Sequence, residues 1–344
     1  MNLPFRTRQM LRRLLIAALV LVIVAALVGL CWLLWLNRYV VYTKAGAILD
    51  FDQSLQFPEG IVPEEPKPGK PIEILQQDQI AGDLASKELV KFAGYYVELT
   101  DIRENFDAVK QQLDALPNGS TVLLDIKSVK SYFYYSTAVG VQVTDFDVSQ
   151  LDSLITQLKA KGHYLIARIP AFQEQQYILE DERTRVPYSL LKLNKNGSWW
   201  DKEAGCYWMN PTSDGTMTYL IQIIAELRSL GFNEVVLNDF RFPDSDQYIF
   251  EGDKMQALRD TAATLVKTCA TDAFAVSFTR SAADLSLPEG RTRLYITGAV
   301  AADAAGIAGK TDFADPSVHV VFLTDGTDNR FDDFCVLRPL SLAH

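Results

Sequence analysis

Charged and amide side chains follow the ends of successive short apolar runs in this chain. They are Glu98, Asp125 with Lys127, Arg168, Asn238 and Asp239 with Arg241, and Asp325. Two carboxyl groups across a pocket, one ionised and one protonated, are the arrangement that cleaves a glycosidic bond. Asp239 and Asp125 are the candidate nucleophile or base, and Glu98 and Asp325 are the candidate acids. The alternative is that these carboxylates form structural ion pairs with Lys127, Arg168 and Arg241.

Three tryptophans lie in the long connection that follows the third apolar run. Trp199, Trp200 and Trp208 are the only tryptophans outside the apolar segment near the N-terminus. Aromatic faces on a loop suit sugar rings, which present apolar C–H faces. The alternative is that the loop needs its own small core, for which Trp supplies the most area. Tyr132, Tyr134 and Tyr135, after the second run, are a weaker signal of the same kind.

The sequence contains no recognisable metal or nucleophile motif, and it predicts no cofactor. His163, His319 and His344 lack ligand spacing, and no two cysteines are spaced as C-x-x-C. A serine elbow, a phosphate-binding loop and a dinucleotide fingerprint are also missing. Of the 4 cysteines, 3 lie outside the N-terminal apolar segment, so at least one has no disulfide partner within the chain.

The runs that carry these residues have the composition and length of buried strands. They cover 92–99, 122–127, 164–170, 234–240, 274–279, 293–299, 319–324 and 334–340. Apolar stripes predict helices over 148–160, 219–230 and 254–269, and after residue 280 only small helices fit. Eight runs alternating with helices predict a (β/α)8 barrel of the TIM type over residues 92–344. An open doubly wound sheet is the alternative, but no glycine-rich phosphate loop follows the first run.

The N-terminal part predicts a membrane anchor. Residues 14–36 are apolar and uncharged, long enough to span a bilayer, and follow four arginines. A cleaved signal peptide has a shorter apolar core. We therefore expect a cytoplasmic N-terminus at 1–13, a transmembrane signal anchor at 14–36, a juxtamembrane segment and proline-rich linker at 37–91, and an extracytoplasmic barrel at the cell membrane.

The charge distribution excludes nucleic acid as a partner. The net charge is -10, from 33 Lys and Arg against 43 Asp and Glu. Five of the basic residues and none of the acids lie within residues 1–38, which leaves 28 basic and 43 acidic side chains on the remainder. Nucleic-acid binding needs basic surfaces that face the phosphates.

The stretch from Phe92 to Pro243 resembles the bacterial DUF4015 family of glycoside-hydrolase-like proteins. The resemblance is carried by VLLDIK at 122–127, YLIARIP at 164–170, NGSWW at 196–200, WMNP at 208–211 and DFRFP at 239–243. It implies a (β/α)8 barrel that binds carbohydrate, such as a polysaccharide or cell-wall glycan. By the same resemblance Lys127, Arg168, Trp199, Trp200, Trp208, Asn238 and Arg241 are candidate substrate-binding residues.

The chain departs from this family at presumed catalytic positions. Asn238 stands where the fourth strand of the family has Asp, and Thr279 stands where the fifth strand ends in Asp. Because adjacent strand residues face opposite sides, Asp239 can replace the acid only if the strand end bends or bulges. We therefore expect a membrane-anchored barrel that binds or acts on envelope or extracellular polysaccharide, with weak or lost hydrolysis. The alternative is a non-catalytic glycan-binding or cell-envelope scaffold protein.

Overall fold

The computed structural model describes residues 40–43, 46–49, 89–175, 190–194 and 197–342. The chain divides into two compact units, Met1–Gln79 and Ile80–His344. In the first unit Val40–Thr43 and Gly46–Leu49 form an antiparallel hairpin. The predicted anchor at 14–36 lies outside the described residues, and among those residues no helix is long and apolar enough to cross a membrane.

The second unit is built on eight parallel strands that close into a barrel. We number them β1 (Ala93–Val97), β2 (Thr121–Asp125), β3 (Tyr164–Pro170), β4 (Glu234–Asn238), β5 (Ala275–Arg280), β6 (Leu294–Thr297), β7 (Val320–Leu323) and β8 (Cys335–Pro339). Each strand pairs with its neighbours in sequence, and β8 pairs with β1 to close the sheet. This confirms the predicted barrel and excludes the open doubly wound sheet. Each of the eight predicted runs coincides with one strand, with ends that differ by up to two residues.

Helices connect most of the strands and pack around the barrel. They are α1 (Leu99–Glu104), α2 (Phe106–Ala115), α3 (Val148–Ala160), α4 (Asp214–Leu230), α5 (Lys254–Cys269), α6 (Ala304–Ala308) and α7 (Pro316–His319), with 3-10 turns at Ala301–Asp303, Asn329–Asp333 and Leu340–Leu342. Side chains of Asp147 and Asp253 cap α3 and α5 by accepting from backbone N–H groups of the first turn. Helix α4 ends at Gly231, whose φ of 96° favours glycine.

Alternation along the strands divides the apolar side chains between two layers. Leu123, Ile166, Val236, Tyr295 and Val321 pack together inside the barrel. Their neighbours in sequence face the helices, where those of β2, β3 and β4 join one apolar cluster and those of β6 and β7 join another. The same alternation therefore identifies which residues at the strand ends face the barrel.

A buried polar network occupies the amino-terminal end of the barrel. Arg293 donates to Glu234 at 2.5 Å, and both side chains are at most 1% exposed. The Glu234 carboxylate also accepts from the hydroxyls of Tyr164, Ser277 and Tyr295 at 2.6 to 2.9 Å. Burial alone would lower the pKa of Arg293, but the charge of Glu234 raises it above its usual value. A network in which every member is satisfied can hold charge inside the barrel.

Short strands form a separate layer of loops over the carboxyl-terminal end of the barrel. Gln173–Glu174, Trp200–Asp201 and Cys206–Trp208 make a three-stranded antiparallel sheet. Other short pairs are Tyr132–Phe133 with Val141–Gln142, and Lys192–Asn194 with Gly197–Ser198. Loops in this position form the active sites of barrel enzymes, whereas the opposite end serves stability.

Candidate functional site

The carboxyl ends of the strands bring several of the predicted residues to one mouth of the barrel. Asp125, Arg168 and Asn238 each lie two residues after a side chain that packs inside the barrel, so they face the same interior. Thr279 follows Ser277, whose hydroxyl reaches Glu234 inside the barrel, and it therefore faces inward as well. The strands are all parallel, which places these four residues at one end.

Asp125 is held by Arg168 on the neighbouring strand. The two residues are direct partners in the register of β2 and β3. The guanidinium donates twice, from Nε to Oδ1 at 2.5 Å and from a terminal nitrogen to Oδ2 at 2.7 Å. Burial would lower the pKa of Arg168, but the hydrogen bond and charge of Asp125 raise it, with Glu98 contributing in the same direction. The pair is the structural ion pair that the sequence left as an alternative.

Tyr96, which sequence reasoning missed, joins the remaining acids of the mouth. Its ring lies 5.9 Å from the guanidinium carbon of Arg168. Burial raises the pKa of Tyr96, and the charges of Glu98, Asp325 and Asp125 raise it further, against the effect of Arg168. Glu98 and Asp325 are exposed, and neither makes a side-chain hydrogen bond or ion pair with another described residue. They are the carboxylates of the mouth with free lone pairs.

The end of β4 turns sharply at the residue after Asn238. Asp239 has a φ of 53°, the left-handed conformation that is uncommon for a residue other than glycine. Its carboxylate accepts from Arg241 Nε at 2.5 Å, and both side chains are partly exposed. The strand end therefore bends, as the substitution of Asp239 for a missing acid requires, yet the bend leaves Asp239 paired with Arg241. Asn238 keeps the barrel-facing position.

The three tryptophans have different environments. Trp208 is 1% exposed and donates from its indole nitrogen to Asp201 at 2.9 Å, while Trp199 is 6% exposed and packs on Tyr248. Trp200 is 38% exposed. Both alternatives from the sequence are therefore present, with two rings in the loop core and one at the surface.

A cleft of about 400 Å³ opens beside the exposed ring. Trp200 and Arg241 line this cleft together with Lys202, Asp244 and Gln247. Arg241 also lies over the ring of Trp208, at 5.3 Å. The cleft therefore combines an exposed aromatic side chain with charged and amide groups, a lining typical of ligand sites.

Lys127 lies beneath the loops and not in the mouth. Its ammonium contacts Glu174 at 2.8 Å, and both side chains are at most 1% exposed. The hydroxyl of Tyr219 on α4 donates to the same carboxylate at 2.9 Å. This buried pair holds the loop after β2 against the short sheet that carries Trp200 and Trp208. Lys127 therefore stabilises the loops around the site and does not line the mouth.

The histidines and cysteines of the described chain serve the structure. Rings of His163 and His319 contact backbone carbonyls at 3.1 and 2.8 Å. Cys206, Cys269 and Cys335 are free thiols in buried positions, so the prediction of an unpaired cysteine is confirmed. No group of three His, Cys, Asp or Glu side chains among the described residues could hold a metal ion. His344 and Asn196 lie outside the described residues.

Glu174 also escaped the sequence analysis as a site residue, whereas Thr279 entered it as the residue at the family's fifth-strand Asp position. Thr279 is 3% exposed, and its hydroxyl has no hydrogen-bond partner in the described structure. Its place at the end of β5 next to Asn238 follows from strand alternation, which was the available signal. Glu174 lies in a two-residue strand, which is too short for a periodic pattern to identify a buried charge.

The closed barrel of eight parallel strands defines the class of protein as a (β/α)8 barrel of the TIM type, with a polar mouth at its carboxyl end. Within that class the chain belongs to the DUF4015 family. The profile of this family, described as "Putative glycosyl hydrolase domain", matches residues 96–282, just over half of the chain. No curated protein matches the chain in sequence.

Solved structures resemble the chain at low sequence identity. A hypothetical protein from Ruminiclostridium thermocellum is 17% identical, with a TM-score of 0.44 over 54% of this chain and 96% of that one. An exo-beta-N-acetylglucosaminidase from Vibrio harveyi in complex with N-acetylglucosamine is 11% identical, with a TM-score of 0.46 over 68% of this chain. The match covers only 41% of the Vibrio enzyme. A cyclic alpha-maltosyl-(1-->6)-maltose hydrolase from Arthrobacter globiformis is 10% identical, with a TM-score of 0.42 over 66% of this chain and 55% of that one.

Proposed function

We propose that this protein is a membrane-anchored, extracytoplasmic barrel that binds polysaccharide of the cell envelope or its surroundings, with hydrolysis weak or lost. One observation carries the proposal. The barrel-facing ends of β4 and β5 hold Asn238 and Thr279, while the inward acid of β2, Asp125, is tied to Arg168. An amide and a hydroxyl donate and accept hydrogen bonds to sugar hydroxyls, but neither replaces a carboxylate as nucleophile.

Binding at this mouth would use three kinds of contact. The exposed face of Trp200 stacks on the apolar face of a sugar ring in the adjoining cleft. The carboxylates of Glu98 and Asp325 accept hydrogen bonds from sugar hydroxyls, because no described residue occupies them. Asn238 contributes one donor group and one acceptor. The DUF4015 family is described as a glycosyl hydrolase domain, which supports carbohydrate as the ligand class.

Residual hydrolysis would depend on the two acids that no described residue pairs with, Glu98 and Asp325. The charges of Glu98 and Asp325 both raise the pKa of Tyr96, and most glycoside hydrolases use a pair of carboxyl groups. Paired with arginine, Asp125 and Asp239 are poorly suited to this role. The non-catalytic scaffold remains the alternative if no glycan is bound.

The anchoring part of the proposal depends on the sequence of the N-terminal segment. Residues 14–36 are apolar and uncharged, and the arginines before them keep the N-terminus in the cytoplasm. Protease added to intact spheroplasts should then remove the bulk of the protein. Full protection of the C-terminal body would contradict this orientation.

A glycan panel tests the binding function. The full-length chain in detergent is incubated with insoluble polysaccharides and peptidoglycan, and the bound fraction is measured. We expect Trp200→Ala to weaken binding by about 1–3 kcal/mol, by analogy with the loss of base stacking on aromatic platforms. Val90→Ala, which shortens an exposed apolar side chain before β1, is the matched control. Failure to bind any glycan would overturn the proposal in favour of the scaffold.

A further inference from the structure

A second cavity opens beside the mouth, and the site described above does not use it. It measures about 480 Å³ and lies between α1 and the loop that follows β2. Leu99 and Thr100 line it directly after Glu98, and Ser128 lines it three residues after Asp125. Three residues of extended chain reach about 10 Å, so the cavity adjoins the mouth.

The wall of this cavity on the β2 side is fixed by buried contacts. Ser131 has a φ of 75°, and its hydroxyl accepts a hydrogen bond from the backbone N–H of Gln175. The Ser128 hydroxyl accepts from the backbone N–H of Tyr132 at 3.1 Å. Below them lies the buried pair of Lys127 and Glu174. A left-handed serine persists only where the surroundings hold it, so this wall is formed in advance of any ligand.

The lining of the cavity combines apolar surface with polar groups that a ligand can reach. Tyr134 is 5% exposed and lines the cavity, yet its hydroxyl makes no hydrogen bond to any described residue. Arg103 and Asp145 form an exposed ion pair at 3.0 Å in the same lining, while Leu99 and Val143 supply apolar surface. Apolar surface with a few convergent donors and acceptors complements a pyranose ring, which has apolar faces and hydroxyl edges.

We propose that this cavity is a second sugar-binding subsite, so that one oligosaccharide runs from the barrel mouth past Glu98 into it. The inference rests on the proposed function and adds the length of the ligand. The Tyr134 hydroxyl reaches the solvent of the cavity, where a sugar hydroxyl can replace water as its hydrogen-bond partner. In this subsite Tyr134 bonds a sugar hydroxyl, and the rim pair of Arg103 and Asp145 bonds others.

Ligand length is the first readout. Chito-, cello- and malto-oligosaccharides from disaccharide to hexasaccharide are titrated calorimetrically into the full-length chain in detergent. We expect affinity to rise with length until both subsites are filled. Thr100→Trp places a large side chain in the cavity, and it should abolish the gain from added rings while leaving the binding of the shortest ligand unchanged.

Removal of one hydroxyl is the second readout. Tyr134→Phe should weaken the longer ligands about two- to tenfold, the effect of one lost hydrogen bond. The matched control is Tyr135→Phe, because the Tyr135 hydroxyl donates to Glu226 at 2.9 Å and does not line the cavity. This control should lower stability and leave affinity unchanged.

Two failures can be told apart. If oligosaccharides bind with affinities that do not depend on length, and Tyr134→Phe behaves as Tyr135→Phe does, the second subsite is wrong and the proposed function stands. If no oligosaccharide binds and the polysaccharide panel is also negative, the proposed function and the subsite both fall.

Discussion

Arg168 limits what Asp125 can do. Both oxygens of the carboxylate accept from one guanidinium, with the side chains 17% and 12% exposed. A nucleophile or base needs a lone pair directed at the substrate, and this pairing uses one lone pair on each oxygen of Asp125. The acids of this mouth therefore divide into two that are paired with arginine, Asp125 and Asp239, and two that have no side-chain partner among the described residues, Glu98 and Asp325.

The pairing of Asp125 predicts a stability effect. Arg168→Met leaves a largely buried carboxylate without its partner and should lower the free energy of unfolding by about 3 kcal/mol. Asp125→Leu combined with Arg168→Met should recover most of that loss. Thermal unfolding of the full-length chain measures both. An Arg168→Met protein as stable as the parent would show that Asp125 is hydrated or bonds to another partner.

The burial of the cysteines also predicts that their thiols react slowly with a thiol reagent. Burial, with the charges of Asp201 and Glu174, raises the pKa of Cys206 to about 12, and burial raises the pKa values of Cys269 and Cys335. Because the thiolate is the reactive form, a Cys31→Ser variant should react very slowly with a thiol reagent at pH 8. Unfolding should release all three thiols. Rapid reaction of the folded protein would contradict the buried placement.

The sequence could predict which of these residues face the barrel but not how they pair. Alternation places Asp125 and Arg168 inward, and that much is readable from the runs. Their contact depends on the register between β2 and β3, which no local pattern encodes. The pairing of Asp239 with Arg241 could not be predicted either, because it depends on a left-handed turn at a residue type that rarely adopts one.

Among the secondary elements, the short sheet above the mouth decides which tryptophan meets solvent. Trp199 and Trp200 are adjacent, so their side chains leave the backbone on opposite sides. Trp199 turns toward Tyr248, and Trp200 packs edge-on against Tyr207 at 4.8 Å. Alternation predicts that only one of the two is exposed. Which one it is depends on the pairing of Trp200–Asp201 with Cys206–Trp208, which lies beyond sequence reasoning.

This arrangement predicts that substitutions of two tryptophans change the stability by very different amounts. Trp208→Ala removes a ring that is 1% exposed and should cost about 3–5 kcal/mol of stability. Trp200→Ala changes a surface side chain and should alter stability by less than about 0.5 kcal/mol. Unfolding curves of the two variants decide the matter. Equal losses would mean that Trp200 is also part of the core.

For the whole molecule, the two ends of the barrel have separate tasks. The amino-terminal end holds the satisfied network of Glu234 and Arg293, while the opposite end holds free carboxylates and two cavities. The rhythm of runs sufficed to predict the barrel, because its eight strands are short and largely buried and several are followed by an amphipathic helix. The cavity beside α1 was not predictable, since it depends on how two loops pack.

Because the two ends of the barrel have separate roles, one substitution should lower stability without changing glycan affinity. Arg293→Leu leaves the buried Glu234 carboxylate without its charged partner and should lower the free energy of unfolding by about 3–5 kcal/mol. Glycan affinity measured well below the melting temperature should stay at the parent value, because the network lies at the other end. A specific loss of affinity in a fully folded Arg293→Leu protein would contradict this division.

The central claim is that Asn238 at the end of β4 leaves a barrel that binds glycan and hydrolyses it weakly. The most direct measurement is the release of reducing ends from bound polysaccharide by the full-length parent, Asn238→Asp and Asp239→Asn. We predict that the parent binds with little release, and that Asn238→Asp binds equally and releases more. One positioned carboxylate is worth about 10²–10⁴ in rate. Vigorous hydrolysis by the parent that Asp239→Asn abolishes would contradict the account and make Asp239 the catalytic residue.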